Sequence, residues 1–367
     1  MKVTSYRELM AEQARAAVRV SGAHHSSWNG KLGVTDPAQK INGSVSWDHT
    51  INYSDSAVTG PLKDMFENAR VHHQDPLVLR SYREAIKTVH HENTHALAAE
   101  GTEHVDGKAA YQNAAEQALE EGITEVHSYD NLNAYIDELG LEEIAPGIKT
   151  AEARSTYPHY TPAARRFAEG IGRESGVEPA EVARRLAVVH PGQKFRAAAE
   201  MLYDSSDLPG KVPESEREAA IGRIEAAMKP PMAGLKALKE ESDPDKKRRE
   251  SARVGGASVR AGRDAVHALS KEWSQPAPEM RVERGVVTEQ DRSNEQDRSN
   301  GQAPQEAGQQ TAGGAEPQEL PPDLAAAVHA SRSGTEPLSS ASRLGEDRMG
   351  SRRSGSQSAE RGPEIER

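Results

Sequence analysis

Residues 77–100 read LVLRSYREAIKTVHHENTHALAAE, a helical pattern that carries His91 and His95. Asp75-Pro76 just ahead breaks one helix and opens the next, and Gly101 supplies a stop. Ile86, Val89, Asn93 and Leu97 recur on one helical stripe, as a core-facing surface requires. His91 and His95 lie one turn apart on another face, a spacing that lets two imidazoles reach a single cation.

Toward the N-terminus, residues 4–20 place Ala, Val and Leu at helical spacing among charged residues and predict an amphipathic helix. Residues 21–43 are rich in Gly, Ser, Asn and His and read as a loop. Residues 44–47 and 50–53 alternate small or polar with bulky apolar side chains, which predicts two short strands in a hairpin. Gly60-Pro61 then begins a helix running through Phe66 and Val71.

Toward the C-terminus, an alanine-rich helix is expected from about Lys108 to Tyr135, carrying the pair Glu121 and Glu125. Gly122 inside it costs about 1 kcal/mol relative to alanine, and close packing would be a reason to keep it. Residues 161–176, 178–190 and 193–204 are three more helical segments, each entered through a Pro or Gly signal. The fold class is therefore mainly α, an α+β arrangement in which a helical domain over residues 1–210 carries one small β-hairpin.

Residues 211–275 are charged and alanine-rich, interrupted at Pro230-Pro231 and Asp243-Pro244, and read as a helical appendage rather than a second enzyme domain. Residues 276–367 are rich in Pro, Gly, Ser, Gln and Glu, and repeat the hexapeptide Glu-Gln-Asp-Arg-Ser-Asn from Glu289 and again from Glu295. With no aromatic residue after Trp273, a disordered tail is expected there.

The formal net charge is −11 with both signs interspersed, which argues against a nucleic-acid binder with a basic face. The run Lys246-Lys247-Arg248-Arg249 sits between acidic neighbours and reads as a solvated face. The first twenty residues are charged throughout, so neither a signal peptide nor a membrane span is predicted. A cytoplasmic location is expected, or export by a route that uses no signal peptide. The absence of cysteine leaves only His, Asp and Glu to hold a metal.

His91-Glu92-Asn93-Thr94-His95 is an HExxH motif, whose two imidazoles can bind one metal while the intervening Glu faces the open side. A catalytic zinc needs a third protein ligand. Glu116, Glu120 and Glu121 are candidates, and Glu121 is preferred because it alone has Glu125 at i+4. Such a carboxylate would accept the ring N–H of His91 or His95 and fix its tautomer. His104 reads as a solvated loop residue, and His127 as a surface residue or a support to the ligands. The longer HExxHxxGxxH pattern is not met, since Ala98 and Gly101 stand where Gly and His are required.

His91-Glu92-x2-His95 followed by Glu121-x3-Glu125 resembles the gluzincin branch of the zincin metallopeptidases, over roughly residues 40–205. The phrase Glu-Gly-Ile-Thr-Glu after an alanine-rich helix looks like poorly characterised bacterial members, with a longer spacing from His95 to Glu121 than in better-known ones. The resemblance implies Zn2+ as cofactor, His91, His95 and Glu121 as ligands, Glu125 as their support, and a peptide or protein as substrate. It implies that Glu92 acts as general base toward a metal-activated water. Tyr157 or Tyr160, in Tyr157-Pro158-His159-Tyr160, would supply a donor for the developing oxyanion. Two rival expectations are a zincin-like metal-binding domain without turnover, and a helical interaction protein such as an effector scaffold or phage-related component.

Overall fold

The structure, a computed structural model, describes residues 2–72, 74–97 and 104–274, with the side chains of 104–106 left aside. The expected disordered tail over 276–367 lies outside the described residues, as does the expected stop at Gly101. The fold is mainly helical with one small sheet. Helix α1 (Tyr6–Ser21) is followed by strands β1 (Leu32–Val34), β2 (Gly43–Val45) and β3 (Ile51–Tyr53). β2 and β3 form the expected antiparallel hairpin, with Val45 opposite Ile51. β1 was expected as loop; it pairs parallel with β3, so the strand order is β1-β3-β2 and β2 is an edge. Three residues containing a glycine give no alternation from which that strand could be read.

A π-helical turn at Asp55–Thr59 leads into α2 (Gly60–His72), and α3 (Pro76–His95) follows behind an Asp75 cap that accepts from the amides of Leu77 and Val78. α3 ends at His95, short of the expected Glu100. The carbonyl of Ala96 is taken by the amide and hydroxyl of Ser27, and Leu97 bridges to Ser26.

The single helix expected over 108–135 is three: α4 (His104–Tyr111), α5 (Ala114–Asp130) and α6 (Leu132–Leu139). The physical reason for the first break is Asn113. Its side chain caps α5 by accepting from the amides of Ala115 and Glu116, competing with continuation of α4. A short α7 (Leu141–Ile144) and an irregular segment lead to α8 (Thr161–Ser175), α9 (Pro179–Ala187) and α10 (Lys194–Asp204). α11 (Arg217–Ala233) and α12 (Pro244–Trp273) complete the described chain.

Two apolar clusters organise these elements. The first gathers α1, the sheet, α2, α3 and α6, through residues such as Leu9, Ile51, Leu62, Ile86, Val89 and Tyr135. The second gathers α5 and α8 to α12, through Leu119, Ile123, Phe167, Phe195, Ile221 and Val259 among others. The helices of 211–275 thus share a core with α5 and α8, and Ser251 on α12 binds the Ala163 amide and the His159 carbonyl. The basic run at the start of α12 is drawn to acidic neighbours, as in the Lys246–Glu241 pair at 2.6 Å.

Candidate metal centre

The two clusters meet where α3 packs on α5, and the polar residues of the motif face that seam. Ile86 and Val89 of the α3 stripe lie in the first cluster as expected, and so does Leu97, which follows the end of the helix. Asn93 on that side donates to Gln13 Oε1 (3.0 Å), and Gln13 also accepts from Tyr53 (2.5 Å), tying the motif helix to α1 and β3. The face carrying Lys87, His91 and His95, successive turns of one helix, is turned to Glu120, Glu121 and Glu125 on α5.

Gly122 allows this approach from the far side of α5. A Cβ there would stand 2.7 Å from the Ala164 Cβ and 3.2 Å from the Tyr160 carbonyl oxygen, so α5 and α8 pack closer than any side chain permits. Close packing is therefore the reason for the helical glycine.

His91 Nε2 and His95 Nε2 are 3.1 Å apart, and each is 3.8 Å from Glu121 Oε2. Ligands at about 2.0–2.2 Å around a tetrahedral zinc lie about 3.3–3.5 Å from one another, so the triangle needs only small adjustment to hold an ion. These three residues are the group of metal-capable side chains found together among the described residues. Glu121 is thus the carboxylate that meets both imidazoles, whereas Glu116 pairs with Lys229 at 2.6 Å.

Each imidazole offers Nε2 to the centre because its Nδ1 is engaged elsewhere. His91 Nδ1 lies 3.1 Å from Glu125 Oε2, and His95 Nδ1 lies 2.7 Å from Glu120 Oε1. Glu125 therefore supports His91, and Glu120, a rival for third ligand in the sequence, supports His95. Glu125 receives the Lys87 ammonium at 2.9 Å and the Thr156 amide at 2.8 Å, while Glu120 receives the Lys194 ammonium at 3.1 Å. With Glu116 paired to Lys229, the other buried carboxylates Glu92, Glu120, Glu121 and Glu125 stand formally against the two buried ammonium groups of Lys87 and Lys194. Two negative charges remain, matching one divalent cation beside two neutral imidazoles.

Electrostatics follow this arrangement. Burial alone would lower the His91 pKa, but the nearby Glu121 carboxylate, the hydrogen bond with Glu125 and the charge of Glu92 outweigh it and push it up to about 10. Burial would raise Glu120, yet Lys194 and His95 bring it down to about 2. Glu125 is likewise held far below the ordinary carboxylate range, against its burial, by Lys87 and His91.

Glu92 is wholly buried beside the ligands, and β2 passes directly over it. A Cβ on Gly43 would be 2.7 Å from both Cγ and Oε1 of Glu92, so only a glycine lets the edge strand approach the carboxylate. Tyr157 stacks on His91 with ring centroids 5.5 Å apart, and burial followed by the charge of Glu121 raises its pKa well above the ordinary value. Tyr160 lies behind it, 6.1 Å away centroid to centroid, with His159 at 4.0 Å from Tyr160.

Tyr111 joins the centre without any motif in the sequence that points to it. Its hydroxyl donates to Glu121 Oε1, and its ring meets Trp47 edge-on at 5.8 Å. His127 is buried rather than at the surface, with its ring 6.1 Å from that of His90, which in turn stacks on Tyr135 at 4.2 Å. The side chain of His104 lies outside what the structure describes; its backbone opens α4. No helix among the described residues is long and apolar enough to cross a membrane. Compared with known proteins, the chain matches no family model, no curated sequence and no solved structure.

Proposed function

We propose that this chain is a zinc-dependent peptidase in which His91, His95 and Glu121 hold the metal and Glu92 is the general base. The observation that carries the reading is the convergence of both Nε2 atoms and Glu121 Oε2 on one point while a carboxylate holds each Nδ1. Zinc held there would make water acidic near pH ~7 and draw electron density from a carbonyl.

The protein's own part is to place a base and a substrate beside that point. Glu92 follows His91 on α3, takes the proton of the attacking water and returns it to the leaving amine. β2 is an edge strand whose backbone at Gly43 touches Glu92, so an extended peptide adding to that edge would bring its scissile bond to the carboxylate. Tyr157 is positioned against His91, and its hydroxyl is the candidate donor to a developing oxyanion, whereas the Tyr111 hydroxyl is committed to Glu121. Tyr160 is one ring further away and supports Tyr157 by packing.

The burial of Glu92, His91 and Glu121 favours a second reading, a metal centre that stabilises the seam without turnover. Glu92→Gln separates the two. The peptidase reading expects the variant to keep its zinc and to lose hydrolysis of a mixed peptide library by at least about a hundredfold. A wild-type protein that carries zinc and cleaves no peptide would support the non-catalytic reading.

A further inference from the structure

The metal-facing imidazoles are supported by two arms of the same composition that come from opposite sides of the seam. In one, Lys87 reaches Glu125 and Glu125 reaches His91. In the other, Lys194 reaches Glu120 and Glu120 reaches His95. Both lysine side chains are 1% exposed, and burying a lysine is costly unless its charge is paired and its donors find acceptors.

Lys87 uses all three of its donors, while Lys194 uses two on backbone carbonyls and faces Glu120 as an ion pair. Lys87 Nζ also donates to the Arg154 carbonyl (2.7 Å) and the Thr156 hydroxyl (2.8 Å), which fixes the irregular segment leading to Tyr157. Lys194 Nζ donates to the carbonyls of Leu186 (2.6 Å) and Val189 (3.0 Å) at the C-terminal end of α9, where backbone carbonyls lack helical partners. Each lysine is thereby anchored to backbone at one end and to an imidazole-supporting carboxylate at the other.

We infer that Lys87 and Lys194 are positioning residues of the metal centre, each fixing the carboxylate that orients one metal-facing imidazole. The inference rests on the metal reading of His91, His95 and Glu121. Neither lysine touches the ion. Each acts by holding one oxygen of the carboxylate while the other meets the ring Nδ1, so that the Nε2 lone pairs of both rings meet at one place. Without the ammonium, the carboxylate has lost a fixed partner and the ring is free to turn.

The full-length chain, stripped of metal, is titrated with Co2+ alone, reading the dissociation constant and the visible absorption of the bound ion. Lys87→Met and Lys194→Met should each weaken binding about ten- to hundredfold and alter the absorption bands, the size seen when a support to a metal-ligating residue is lost. Ile221→Ala, in the second core and on neither α3 nor α5, is the control for lost stability alone and should change affinity by less than about threefold.

A lysine variant that does not fold is replaced by Lys87→Met with Glu125→Gln, or Lys194→Met with Glu120→Gln, which leave no unpaired charge buried. These should fold and show at least the same weakening. Wild-type affinity and spectrum in the lysine variants or in these doubles overturn the inference while leaving the metal reading intact. A wild-type chain that binds no Co2+ overturns the metal reading, and the inference with it. Equal loss in Ile221→Ala also overturns the inference, because global destabilisation would then account for the effect.

Discussion

The first core is built from α1, the sheet, α2, α3 and α6, and the second from α5 and α8 to α12, yet the candidate centre belongs to neither alone. The first supplies His91, Glu92 and His95, the second Glu120, Glu121 and Glu125. Each core is apolar by itself, so the buried charges gather at the seam, where the carboxylates of one find the imidazoles and lysine of the other. A site divided in this way depends on how closely α3 and α5 are held, and this dependence can be broken from either side.

The largest effect is expected at Gly122. A valine there would press on Ala164 and the Tyr160 carbonyl, cost about 3 kcal/mol of stability, and shift α5 enough to weaken metal binding. Urea denaturation together with a metal titration checks both parts. Asn93→Ala should sharpen the comparison, because Asn93 faces the first core and not the seam. Losing its hydrogen bonds to Gln13 and the Val89 carbonyl should cost about 1–2 kcal/mol while metal affinity stays near wild type. A parallel fall in affinity would show that the first core and the seam are not separable.

A smaller effect is expected from pH on the metal-free protein. The His91 pKa is raised in the folded chain, so its contribution is fully present below about 6.5 and is lost as pH rises through about 10. Glu120 is depressed, so its contribution is present above about 4.5 and is lost as pH falls toward about 2. Urea midpoints measured from acid to alkaline pH should therefore fall on both sides of a plateau between these limits. His91→Gln should flatten the alkaline side.

Much of the seam could be read from spacing. His91 and His95, like Glu121 and Glu125, are one helical turn apart, and one turn is a distance that a sequence states directly. The apolar stripe through Ile86, Val89 and Leu97 was legible for the same reason. Glu120 was harder, because adjacent helical residues point about 100° apart and only the packing of α10 shows which carboxylate meets His95 and Lys194. Lys87 carried a partial signal, standing one turn before His91. Lys194, separated from Glu120 by four helices, carried none. Asn113 with Glu116 three residues later was a readable helix start, and it marks the break in the long helix expected over 108–135. Tyr111 could not be placed on Glu121 without that break, which turns α4 back toward the centre.

The claim that α3 and α5 together make a metal site is tested most directly by zinc content. Wild-type protein exposed to zinc and freed of excess should retain a single ion per chain, while Glu121→Ala and His91→Ala, one from each side of the seam, should retain almost none. Wild-type protein without zinc, or variants that keep it in full, would contradict the account.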